Sequence, residues 1–174
     1  MKFRRFVLLA TVFSVFSALS APAGEVSLLL QNGFGDGYQF GIGMRAGAIL
    51  PSRVYLGGRF DWFTGTPNAA WSTEISYFGN LVVRTERGDL KVLGCGAEAG
   101  YDLKVPGGAR IRPYLGLGMA RVSYAAVSSG KLALWPGALL GYEWSRYFAG
   151  VDFNYRIVDQ LSAGIAAATF GLRF

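Results

Sequence analysis

Histidine is absent from this 174-residue sequence, cysteine occurs once, and no apolar run is long enough to cross a bilayer as a helix. Each absence removes a class of protein. Without histidine there is no imidazole base and no imidazole metal ligand, the commonest groups in either role. A single cysteine, Cys95, leaves no intramolecular disulfide to form. The longest apolar run, residues 6–19, falls short of the ~20 residues a spanning helix needs, which excludes a helical membrane protein. Charge is also scarce: 16% of residues are charged, against 52% hydrophobic and 15% aromatic, a balance that excludes disorder. The apolar residues are instead scattered in short runs, separated by polar residues and by many of the 25 glycines.

Residues 1–23 have the layout of a secretory signal. Lys2, Arg4 and Arg5 form a basic start, residues 6–19 an apolar middle, and Ala21-Pro22-Ala23 an A-x-A cleavage site at Ala21 and Ala23. No cysteine lies near that point to carry a lipid. The remaining chain, 24–174, is read as one domain. Loss of the three basic residues lowers the net charge from +6 to +3, so nucleic-acid binding is not expected.

The rest of the chain alternates with period two, the mark of strands with unlike faces. In 147–157, Tyr147, Ala149, Val151, Phe153, Tyr155 and Ile157 share one face, and Asp152, Asn154 and Arg156 the other. Segments 38–50, 54–64, 90–103, 110–120, 132–144 and 162–174 repeat the pattern, and 25–31 shows a shorter version. The expectation is therefore eight strands, seven of them 11–14 residues long, near the ~9–11 tilted residues that cross a bilayer. Tight turns at 51–53, 105–109 and 145–146 alternate with connections at 33–37, 65–89, 125–131 and 158–161, longer on average. Such alternation characterises transmembrane barrels. The longest connection contains a strand-like stretch, 72–85, expected to project as a hairpin.

The polar face decides which way the barrel is turned. It is glycine mixed with Arg45, Arg59, Asp61, Glu98, Asp102, Arg112, Glu143, Asp152, Arg156 and Arg173, five basic and five acidic residues. Glycine suits a crowded bore better than a solvent face. The other face is bulky and apolar, with no charge in the central stretch of any strand, where one would cost ~2–4 kcal/mol in lipid. Tyr101, Tyr142, Trp144, Tyr147 and Phe174 gather near the short turns as an interfacial girdle. Hydrocarbon offers no partner to a free strand edge, so the sheet must close. The fold class is all-β, an eight-stranded antiparallel up-and-down transmembrane barrel. Eight strands leave a bore that side chains fill. Its ten charges are expected to pair, with Arg110 and Arg173 the rim residues expected to meet trapped water.

With its terminal Phe174, Leu172 and Phe170 at alternating positions, a signal segment, and glycine-interleaved runs at 40–47 and 113–118, the chain resembles the small eight-stranded outer-membrane barrels of the OmpA/OmpX type. The resemblance covers 24–174. It implies an outer-membrane location, a single barrel working as a monomer in contact with lipid and lipopolysaccharide, and Phe170, Leu172 and Phe174 as the signal read by barrel-assembly machinery. No periplasmic domain is expected beyond the barrel, so peptidoglycan anchoring is not implied by the resemblance. Barrel enzymes of this size use a histidine that is missing here, and their mechanisms do not transfer.

No other residue set points to chemistry. Serines 72, 76, 123, 128, 129 and 162 lack a partnered base, and Asp61 and Glu98, which could form a carboxylate pair on the polar face, are expected instead to make salt bridges with neighbouring arginines of that face. Cys95 falls in the lipid-facing phase. Residues 33–37 are glycine-rich like a phosphate cradle, but no helix pattern follows, so they read as a hairpin loop. Arg84, Arg87, Lys91, Arg121 and Lys131 fall at the loop end, where solvated charge is the first reading and lipopolysaccharide phosphate the second. No catalytic, cofactor or metal residue is expected. A structural or surface-interaction role leads, followed by a narrow solute or ion pore and then a secreted soluble barrel binding a small apolar ligand.

Overall fold

The structure is a computed structural model that describes residues 23–35, 38–65, 69–77, 80–124, 127–159 and 161–174, with the backbone alone for strand residues within 69–88 and for Tyr124 and Val127. The signal segment lies outside the described residues, except that Ala23 forms the turn leading into the first strand. Eleven strands follow: β1 (Gly24–Phe34), β2 (Phe40–Ile49), β3 (Val54–Phe63), β4 (Ala69–Tyr77), β5 (Asn80–Gly88), β6 (Leu90–Tyr101), β7 (Leu103–Lys104), β8 (Ala109–Tyr124), β9 (Val127–Trp144), β10 (Tyr147–Val158) and β11 (Ala163–Arg173).

Eight of them close a barrel. The order runs β6-β3-β2-β1-β11-β10-β9-β8, and β8 pairs back onto β6. All pairings are antiparallel, and closure through the chain ends aligns Leu28 with Phe170 and Val26 with Leu172. β7 continues β6 beyond Asp102 and pairs with the start of β8. β4 and β5 form a separate two-stranded sheet within the longest connection, so the hairpin expected at 72–85 is present and is longer than expected.

The wall faces outward with its apolar residues. Ile42 is 44% exposed, Leu140 45% and Phe153 51%, whereas Arg156 is 0% exposed and Glu98 3%. This arrangement inverts a soluble barrel. Tyr142, Trp144, Tyr147 and Phe170 stack near the short turns, with successive ring centroids 6.2–6.4 Å apart. Tight turns sit at one mouth, where Gly107 and Gly108 take φ near +90°, backbone angles that glycine adopts without strain.

One expectation about the connections needs correction. Residues 127–131, expected in a loop over 125–131, belong to a strand: β8 runs on to Tyr124 and β9 begins at Val127, with Ser123 opposite Ser128 and Val122 opposite Ser129. Backbone pairing alone extends the ladder through these polar residues, so the hairpin projects past the band. The 18-residue β9 far exceeds the ~9–11 residues that a crossing requires. The ladder between β9 and β10 also skips from Gly137 to Leu134, at the point where Pro136 has no N–H to donate. On the outer wall beside this gap lies an apolar groove of about 460 Å³ lined by Phe34, Pro136, Ala138, Phe153, Tyr155 and Ile165.

Candidate functional site: a filled, charged bore

The bore is filled in three layers, and glycines make the room. Each large inward ring lies on a glycine of a neighbouring strand. A Cβ on Gly116 would stand 2.0 Å from Trp135 Nε1, one on Gly47 2.5 Å from the Tyr55 ring, one on Gly137 2.6 Å from Tyr114, and one on Gly171 2.4 Å from Phe148. The glycine-rich polar face thus has a steric cause: small residues on one strand admit bulky ones from the next.

The first layer lies at the short-turn mouth. Arg112 holds Glu25 with two guanidinium nitrogens, one to each carboxylate oxygen, and donates from Nε to Asp102 at 3.1 Å. Arg110 Nη2 reaches Glu25 at 3.2 Å and Asp102 at 3.0 Å. Arg173 bridges Asp102 at 2.8 Å and Glu143. Three arginines meet three carboxylates, so the layer is neutral. Phe148 and Tyr55 cover it, with the Arg110 and Arg112 guanidinium carbons 4.8 and 3.9 Å from their ring centroids.

The second layer occupies the middle. Arg45 donates to Glu98 at 2.6 Å and Asp152 at 2.9 Å. Arg59 donates to Asp61 at 2.9 Å, to Asp152 at 3.2 Å and to Gln31 at 2.6 Å. Arg156 donates to Asp61, and the Gln31 amide donates to the same carboxylate at 2.7 Å. Tyr114 and Asn154 donate to Asp152, and Trp135 Nε1 donates to Glu98 at 2.8 Å. Again three cations balance three anions, and the pairs compensate for the large cost of removing each ion from water.

The third layer, toward the loops, is apolar. Tyr38, Phe63, Leu90, Val92, Val122, Trp135, Val158, Leu161 and Ile165 form one buried cluster, with Tyr38 edge-on to Phe63 at 5.0 Å. Arg156 marks the boundary, its guanidinium carbon 4.9 Å from the Trp135 ring centroid.

All ten charges expected on the polar face point inward, and each has an ionic partner. The structure adds two more and revises other points. Glu25 was missed because it opens the shortest alternating segment, where one acidic residue does not establish a face. Arg110, expected at a watery rim, is 1% exposed and paired, because Phe148 and the Glu25–Asp102 pair enclose it. Arg173, also expected there, retains some exposure but makes two close ion pairs. The bore is not charged throughout: its loop-side third is a hydrophobic plug, invisible to alternation because the outward neighbours of its residues mix polar with apolar (Thr64 with Trp62, Lys91 with Leu93, Asp159 with Ile157), so neither face is marked. Cys95, in the outward phase, is 6% exposed rather than open to lipid. It stands in register between Phe60 and Met119, whose larger side chains overtop it. At the loop mouth, Lys131 pairs with Asp159 at 2.7 Å and Arg121 donates to Ser128, while the side chains of Arg84 and Arg87 lie outside the described residues.

Every carboxylate in the bore is engaged by arginine, and among the described residues no group of three acidic or cysteine side chains is placed to hold a metal ion.

No protein-family model and no curated protein matches the sequence. Solved structures do match the fold. Neisserial surface protein A superposes with a TM-score of 0.56 at 14% identity, covering 87% of this chain and 96% of that one. The N-terminal barrel of Pseudomonas aeruginosa OprF gives 0.58 at 17% identity, covering 87% and 97%. Ail, the attachment invasion locus protein of Yersinia pestis, gives 0.52 at 16% identity, covering 87% and 97%. The chain has the fold of the small eight-stranded outer-membrane barrels.

Proposed function

We propose that this barrel is an integral outer-membrane protein without enzymatic activity, serving a structural or surface-interaction role. One observation carries the reading: a wall of exposed hydrocarbon side chains surrounds a bore occupied by neutral ion layers and an apolar plug, contents that argue against a channel for solute. The names of two compared barrels, a surface protein and an attachment protein, support the surface-facing part. The β4–β5 hairpin and the extended β8–β9 hairpin would present the contacting surface, with lipopolysaccharide phosphates as the partner class of the loop-end cations Arg84, Arg87, Lys91, Arg121 and Lys131. Phe170, Leu172 and Phe174 would be read by the barrel-assembly machinery, the barrel would act as a monomer, and neither cofactor nor nucleic acid enters its work.

The test combines two measurements on purified protein. Heat-modifiable gel mobility and membrane fractionation should show a folded barrel in the outer membrane, and planar-bilayer recordings should show no steady conductance. Stable single-channel steps would favour the pore reading instead. A monomer that stays soluble without detergent would return the ligand-binding soluble barrel.

A further inference from the structure

The two mouths of the barrel balance their exposed charge differently. At the short-turn mouth Arg53, Lys104 and Arg146 are all exposed, one in each of the three turns joining β2 to β3, β6 to β8 and β9 to β10. The acidic side chains described there are Glu25, Asp102 and Glu143, and each is already held by Arg110, Arg112 or Arg173. Among the described residues none is left for the three turn cations, which make no ion pair. At the loop mouth, by contrast, Asp159 engages Lys131.

Each turn cation also stands at the edge of the apolar band. Lys104 lies between Leu103 and Val105, both 42% exposed. Arg146 lies between Trp144 and Tyr147, whose rings stack on one another, and amphipathic rings of this kind settle at headgroup depth. Arg53 follows Leu50, itself exposed, and takes φ +65°, a left-handed angle that glycine would adopt without strain and that here carries a cation instead.

We propose that this mouth is a basic collar that binds the anionic phospholipid headgroups of the leaflet it meets. The proposal rests on the membrane reading above and concerns the face opposite the loops. Phosphodiesters match the chemistry: a guanidinium can clamp two phosphate oxygens and an ammonium offers a point charge. The three turns occupy three sides of the ring, with the paired ends of β1 and β11 on the fourth. Each cation near an anionic surface multiplies the equilibrium constant about fivefold, so three together give a factor on the order of 100.

The test uses the full chain refolded into phosphatidylcholine vesicles with and without phosphatidylglycerol of the same acyl length. Gel mobility reports insertion, and urea titration reports the folding equilibrium. The wild type should insert in both lipids, with a folding constant on the order of 100-fold larger when phosphatidylglycerol is present, a gain that shrinks in high salt. The combined Arg53→Gln, Lys104→Gln and Arg146→Gln variant should insert but lose that gain, each single variant should lose about fivefold, and the charge-preserving Arg53→Lys, Lys104→Arg and Arg146→Lys variant should keep it. An equal gain in the triple variant overturns the proposal. So does a wild type indifferent to phosphatidylglycerol, the result expected if the collar serves an acidic protein instead. Failure to insert in either lipid would overturn the membrane reading itself, a separate outcome.

Discussion

Removing the Asp61 carboxylate should be among the costliest single changes in the bore, and the structure says why. Asp61 is the one ionic partner of Arg156 among the described residues. The Arg156 guanidinium is fully buried, and its Nε and Nη1 have no hydrogen-bond partner. In Asp61→Ala that cation would keep only the Trp135 and Phe63 rings, 4.9 and 5.9 Å away, contacts worth ~0.5–2 kcal/mol each that do not replace the ion pair. Stranding a buried charge costs ~3–5 kcal/mol, so the net loss should be about 3 kcal/mol. Arg59 softens it little, because Arg59 retains Asp152 at 3.2 Å whether or not Asp61 is present. Arg156→Met should cost less, since Asp61 then still holds Arg59 and Gln31. In the double variant the stranded charge is gone, and the two losses should fall short of additivity by about 2 kcal/mol. Equilibrium urea unfolding in micelles, followed by tryptophan fluorescence, measures all four corners of this cycle. If Asp61→Ala costs under about 1 kcal/mol, or the two changes simply add, the ion layers do not hold the barrel as argued.

Three other outcomes follow from separate features. Gly116→Ala places a methyl group 2.0 Å from Trp135 Nε1, which is bonded to Glu98; the ring must move, with a loss of about 1–3 kcal/mol and a shifted tryptophan emission, and unchanged stability and emission would count against the steric account of the glycines. Arg53→Gly relieves a left-handed angle and should raise stability in a zwitterionic detergent by about 0.5–1 kcal/mol; a loss in thermal melts would show that the turn is held by the arginine side chain instead. Cys95 should resist a bulky maleimide in the folded barrel and react once unfolded, as mass spectrometry would read; rapid labelling of the folded form would mean that Phe60 and Met119 do not shield it.

Period two was enough to place each of the eight barrel strands within a few residues of its observed span and to set its lipid-facing phase, because a side chain's face depends only on its parity along the strand. Opposite parities therefore separated Phe153 and Leu140 from Arg156 and Glu143 without reference to any neighbour. What each arginine touches was beyond that logic. Arg45 meets Asp152 across 107 residues of chain, a contact set by how β2 and β10 face each other across the closed bore, and Glu25 joined the mouth cluster only once β1 had paired with β11. The hydrophobic plug was hidden for a related reason: Phe63, Val92 and Val158 point inward at strand ends whose outward neighbours are partly apolar (Trp62, Leu93, Ile157) and partly polar (Thr64, Lys91, Asp159), so the sequence carries no consistent contrast to read. Faces are a local property of the chain, and partners across a barrel are a property of its closure.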